Sequence, residues 1–161
     1  MTETKHIKAK PTCMVGVERR IEVWRDGKLI DVDENLIPVD LVVDGGLNAL
    51  CGQAFDGSGN RPAVFNYVAI GTDSTTPSSS QTALGAEVMR VQGTYSKDPN
   101  TGECSMDATF NINGTYALNE CGLFNASSGG TMYCRDTYPT KNVVSGDTVK
   151  VYYTPKFQRP A

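Results

Sequence analysis

Hydrophobic positions along this chain recur mostly at every second residue, in short runs broken by turn-forming clusters. Val17, Ile21 and Val23 alternate with charged neighbours up to Trp24 and Arg25. Asp26-Gly27 follows, a two-residue hairpin turn in which both positions tolerate positive φ, and Leu29 and Ile30 begin the return strand. Asn35-Leu36-Ile37-Pro38 ends that unit and residues 39–43 form another apolar run. Residues 64–70 predict a strand with both faces partly covered, and residues 88–96 a further strand. Pro99-Asn100-Thr101-Gly102 closes a hairpin onto residues 104–112, where Met106, Ala108, Phe110 and Ile112 alternate. Residues 116–124 and 131–136 predict another hairpin about Ser127-Ser128-Gly129-Gly130. Val143-Val144 and the turn Ser145-Gly146-Asp147 lead to Val149, Val151 and Tyr153.

Helical periodicity is confined to two places. In residues 45–52, Leu47, Leu50 and Cys51 fall at i, i+3 and i+4 and give one apolar face, too short to stand without packing on a sheet. Residues 82–88 predict one or two helical turns. With roughly eight strands and no βαβ alternation, the pattern predicts an all-β, jelly-roll-like antiparallel β-sandwich with one or two short helices and extended terminal arms. The expected organisation is an N-terminal arm over 1–16, a sandwich over 17–154 and a tail over 155–161. Pro155 and Pro160 argue against a central strand in that tail.

Composition narrows the function classes. The 161 residues suffice for one domain with a core of its own, and 16 Gly and 8 Pro agree with a turn-rich β protein. A net charge of −3 argues against a general nucleic-acid binder, and Lys5, Lys8 and Lys10, followed by Arg19 and Arg20, read as a solvated basic arm. Asp31, Asp33 and Glu34 read as a solvated acidic loop, without calcium-loop spacing. No run of about eighteen apolar residues spans a membrane, and no apolar stretch near Met1 reads as a secretory signal. The sequons at Asn113 and Asn125 therefore read as turn chemistry.

Candidate chemistry is sparse. The single histidine, His6, lies in the polar arm, away from any serine or cysteine nucleophile it could activate. Gly45-Gly46 lacks the Lys-Ser/Thr ending and the spacing of a phosphate loop. Asp107 with Glu120, or Asp136 with Asp147, are formal carboxylate pairs of a kind any acidic protein offers. Cys13, Cys51, Cys104, Cys121 and Cys134 form no C-x-x-C. A reducing cytosol would keep them as small core residues, whereas an oxidising medium would let them pair, with one left over for a bond between chains. Glu87 and Arg90 are spaced for an ion pair, either a plain surface pair or one that orients the loop after Ile70 or meets a neighbouring subunit. No cofactor or metal is expected.

Three phrases, taken in order, are more specific. Tyr67-Val68-Ala69-Ile70-Gly71-Thr72 with Thr75-Thr76-Pro77 runs into Thr82-Ala83-Leu84-Gly85-Ala86-Glu87-Val88-Met89-Arg90. Asn119-Glu120-Cys121-Gly122-Leu123-Phe124-Asn125 follows, with Gly130-Thr131-Met132-Tyr133-Cys134-Arg135; upstream stand Asn35-Leu36-Ile37 and Asp44-Gly45-Gly46-Leu47-Asn48-Ala49-Leu50. Together they resemble a pattern in virion structural proteins of tailed bacteriophages, over most of the chain. The resemblance implies a non-enzymatic β-sandwich in the phage particle, made in the host bacterial cytoplasm. The free-standing form suits a capsid decoration (cement) protein on the head surface or neck. A collar, tail-fibre or baseplate attachment module is the alternative, and a carbohydrate-binding module or hydrolase the third. The implied partners are the major capsid protein or neck and tail proteins, with a homo-oligomer, a trimer by preference. Lys5, Lys8, Lys10, Glu87, Arg90, Phe157 and Arg159 are the candidate contact residues.

Overall fold

The computed structural model describes residues 14–36 and 41–159, without the side chain of Met14. The chain opens with a long hairpin, β1 (Met14–Arg25) and β2 (Lys28–Asn35). Asp26 and Gly27 take φ of 49° and 72° in its turn, as their residue types predict. A two-residue strand β3 (Leu41–Val42) leads into helix α1 (Asp44–Phe55). Then come β4 (Tyr67–Gly71), β5 (Glu87–Gln92), β6 (Thr94–Lys97) and β7 (Cys104–Asn111). The chain closes with β8 (Tyr116–Phe124), β9 (Met132–Val143) and β10 (Thr148–Gln158).

These strands form two five-stranded sheets, ordered β2-β1-β10-β7-β6 and β3-β9-β8-β4-β5, with antiparallel pairing throughout. The fold is the all-β sandwich that the alternation predicts. The inner faces supply the core: Val17, Ile21, Val23, Met106, Ala108, Phe110, Val149, Val151 and Tyr153 meet Val68, Ile70, Leu118, Leu123, Tyr138 and Val143. A second cluster, Val43, Ala69, Leu84, Phe124 and Met132, covers the outer face of the β4–β8–β9 region. β4 is thus apolar on both faces, and Val68, Ala69 and Ile70 are all fully buried.

Several expectations are corrected. The predicted strand 88–96 is two strands, β5 and β6, which belong to different sheets. Residues 82–88 form no helix; the chain there is irregular until β5. The expected tail is a strand as far as Gln158, and β10 lies between β1 and β7. Pro155 is tolerated there for a local reason. The Phe157 N–H bonds to Gly102 at 2.8 Å, so by alternation the Pro155 nitrogen faces the same side. On that side the β10–β7 ladder stops at Tyr153↔Met106 and resumes only as the bridge Glu103↔Lys156. The helix turns Gly46 and Ala49 onto β9, leaving Leu47 and Cys51 exposed and Leu50 half-buried. The supposed acidic loop is strand β2, and its carboxylates pair with cations: Asp31 with Lys141 on β9, Asp33 with Arg19 and Glu34 with Arg20. Arg19, read as part of a solvated arm, is buried; its Nε bonds Asp136 across the sandwich at 2.6 Å.

Candidate functional site

Stretches 67–90 and 119–135 converge on one buried network. Gly71 ends β4 and residues 72–86 leave the sheet as a long loop before β5 begins. Glu120 on β8 and Arg135 on β9 stand beneath that loop, and both side chains are 0% exposed. Arg135 donates from Nε to Glu120 at 2.8 Å, from one terminal nitrogen to the Thr75 carbonyl at 2.8 Å and from the other to Asp73 at 3.1 Å. Glu120 also accepts the backbone N–H groups of Asp73, Gly85 and Ala86, at 3.2, 3.0 and 2.7 Å. A single carboxylate therefore ties both ends of the loop to the sheet, and the guanidinium holds its first residues and, through the Gln81 side-chain oxygen at 3.3 Å, its middle. This is the satisfied, paired state a buried charge requires. A Cβ at Gly71 would lie 2.5 Å from the Ala86 carbonyl and from Glu120, and one at Gly85 would strike the Asp73 carboxylate. The loop interior is ordered chiefly by side-chain acceptors: Asp73 takes the Thr75 N–H and Gln81 takes the Ser78 N–H.

Glu87 and Arg90 sit on β5, not on the helical turn their spacing suggested. A register shift places Ile70 opposite Met89 but Gly71 opposite Glu87, so Val88 is the extra residue of a bulge. That bulge brings positions three apart onto one face. The two side chains pair at 2.6 Å. Arg90 also donates to the carbonyls of Ala126 and Gly129 at 3.0 and 2.9 Å and lies 3.7 Å over the Phe124 ring. It holds the β8–β9 turn to the sheet edge. Lysine lacks the planar fork, so Arg90→Lys is expected to cost about 1–3 kcal/mol in urea unfolding.

The remaining expected residues do not assemble into a site. Lys5, Lys8, Lys10 and Cys13 lie outside the described residues. Phe157 is half-exposed at the end of β10, and Arg159 is exposed just beyond it. No disulfide joins any two of Cys51, Cys104, Cys121 and Cys134. Asp107 and Glu120 are on different sheets. Asp136 is bound by Arg19, and Asp147 by Nε and one terminal nitrogen of Arg25, each at 2.8 Å. Asn125 accepts the Thr131 N–H within its turn, as the sequon's turn reading anticipates. Among the described residues no cluster has the composition of a metal site, and no helix is long and apolar enough to cross a membrane.

Sequence reasoning missed a cavity of about 620 Å³ at one end of the sandwich. Leu50, Phe65, Met106, Leu123, Tyr133 and Phe157 are among its walls, and among the described residues no charged one lines it. The Tyr133 ring lies 5.1 Å from Phe65, and its buried hydroxyl has no hydrogen-bond partner among the described residues. Burial, with Cys134 and Cys104 nearby, raises its pKa well above the usual phenol value.

Carboxylate titration gives a pH prediction. Hydrogen bonds from Arg25 lower the Asp147 pKa, and those from Thr75 lower that of Asp73. Burial opposes the ionised Glu22, but hydrogen bonds from Trp24 and Arg20 outweigh it and its pKa also falls. Depressed pKa values in the folded state stabilise it above the unfolded-state pKa of about 4, and that contribution disappears as pH falls through the folded values. Urea unfolding is expected to show stability declining below about pH 4, with a shallower decline in Asp147→Asn.

The chain matches no protein-family model, no curated protein and no solved structure.

Proposed function

We propose that this chain is a non-enzymatic structural protein of a tailed-phage particle, a decoration (cement) protein that stabilises the head surface or neck. The observation that carries this reading is the convergence of the resembling phrases on the Glu120–Arg135 network. Gly71, Asp73, Gly85, Glu120 and Arg135 come from three separate stretches, and all serve to fix one loop. Their hydrogen-bonding capacity is committed to backbone groups and to each other. They pre-order a surface loop, which lowers the entropy lost when such a surface binds a lattice. The partners are the major capsid protein or neck proteins, with the chain acting as a homo-oligomer, a trimer by preference.

The experiment is co-sedimentation of the purified protein with heads, stripped of this chain, from the phage that encodes it. Saturable binding to heads is expected. No binding to heads, with immunogold labelling along the tail instead, would move the protein to a tail or baseplate role and overturn the head reading.

A further inference from the structure

Asn113-Gly114 is the single Asn-Gly pair in the sequence, and neither the core nor the Glu120–Arg135 network uses it. It lies in the turn between β7 and β8. On one side that turn is tied to the turn before β10: the Ile112 N–H bonds to the Asp147 carbonyl and the Gly146 N–H to the Ile112 carbonyl, each at 2.9 Å. On the other side Tyr116 opens β8, pairs with Val143 and packs against the core. Asn113 itself is exposed.

Three groups that can act on one another meet in this turn. The first is the Asn113 carboxamide, whose Oδ1 accepts the Tyr116 hydroxyl at 3.0 Å. The second is that hydroxyl, which lies so near the turn that a Cβ at Gly114 would be 2.8 Å from its oxygen. The third is the Gly114 N–H, which has no acceptor among the described residues. Glycine at 114 also brings no side chain to keep its nitrogen from the carboxamide carbon. Asn125, in the other sequon, is placed differently: its Oδ1 accepts the Thr131 N–H, and alanine follows it.

We infer that Asn113 is a site of self-modification, where the folded turn converts asparagine to an aspartyl or isoaspartyl residue. The Gly114 nitrogen gives its proton to solvent and bonds to the side-chain carbonyl carbon of Asn113. The carbon–nitrogen bond of the carboxamide breaks, and the nitrogen leaves as ammonia with a proton taken from water. A five-membered cyclic imide results. Water adds to either of its carbonyls and opens it, to the aspartyl form at one and the isoaspartyl form at the other. The balance is one water consumed and one ammonia released, with no oxidant or reductant. In the first step negative charge gathers on Oδ1, where the Tyr116 hydroxyl already points. A donor in place before the charge develops lowers the barrier to that step. The product carries a new carboxylate and, in the isoaspartyl form, one more backbone carbon between the anchored Ile112 and Tyr116. The reaction belongs to the free chain and does not depend on the head-binding proposal.

The test is peptide mass spectrometry on the full chain incubated at mildly alkaline pH, both folded and in urea. Folded wild type is expected to gain the mass of an amide-to-acid change at Asn113 before any other asparagine, and isoaspartyl methyltransferase should label that fragment. Asn113→Gln, which would have to close a six-membered ring, is expected to remain unlabelled there. Tyr116→Phe keeps the ring and removes only an exposed hydrogen bond, and circular dichroism checks its fold. Its Asn113 is expected to convert about tenfold more slowly, the effect of one hydrogen bond made in the transition state. In urea the wild type and Tyr116→Phe should convert at the same rate, because the contact is gone. A hydroxyl that merely restrains the side chain would give the reverse order, with Tyr116→Phe the faster when folded. An Asn113 that stays an amide while other asparagines convert, or a folded Tyr116→Phe that matches or outpaces the wild type, would overturn the inference.

Discussion

Arg135→Met is expected to lower the unfolding free energy by about 3–5 kcal/mol, measured by urea denaturation at neutral pH. The substitution leaves the fully buried Glu120 carboxyl group without its cation. It also removes the donors that satisfy the Thr75 carbonyl and the Asp73 carboxylate. Glu120→Gln should be comparably damaging for a different reason. The carboxylate accepts four N–H groups through its two oxygens, from Arg135, Asp73, Gly85 and Ala86. An amide replaces one acceptor by a donor, so at least one of those donors then faces another donor. Replacing both charges with apolar residues should not restore stability, because the three backbone donors would still lack an acceptor. Hydrogen exchange gives an independent readout: the Gly85 and Ala86 amides should exchange much faster in either variant than the amides of β7 or β10. A loss below about 1 kcal/mol, with those amides still protected, would mean that water takes over the network's role, and the loop would not be held as described.

The same network shows why some of this fold was legible in the sequence and some was not. Positions whose environment is set by their own strand were legible. Met106, Ala108, Phe110 and Ile112 alternate and are all buried, and Asp26-Gly27 turns as its residue types predict. Positions decided by a distant partner were not. Residues 82–88 contain alanine, leucine and glutamate, all good helix formers. Yet the N–H groups of Gly85 and Ala86 go to Glu120, thirty-five and thirty-four positions away, and so are not available for helical bonds. Asp31 and Asp33 look like solvated charges until Lys141 and Arg19 come across to meet them. Glu87 and Arg90 read as neighbours at helical spacing and are neighbours, but a bulge at Val88 does what a helix would have done. Of the candidate site, the motif residues were visible as a group, though not their convergence. The end cavity was invisible because its walls come from α1, the segment before β4, the β5–β6 junction, the start of β7 and the end of β10.

Gly46→Val should have an effect of similar size through packing alone. Gly46 lies in the first turn of α1, on the buried side, against the backbone of β9. A Cβ there would sit on the Tyr133 carbonyl oxygen and 2.8 Å from the Tyr133 Cα. A side-chain contact would relax by rotamer change, but here the obstacle is the main chain of a central strand, so the helix must move. The expected loss is about 3 kcal/mol in urea unfolding, the upper part of the range for overpacking, and β-branching in the helix adds to it. Gly57→Ala is the matched control. Nothing lies within 4 Å of a Cβ at Gly57, and the backbone there is not left-handed. That substitution should be neutral or stabilising by about 0.5 kcal/mol, by restricting the unfolded chain.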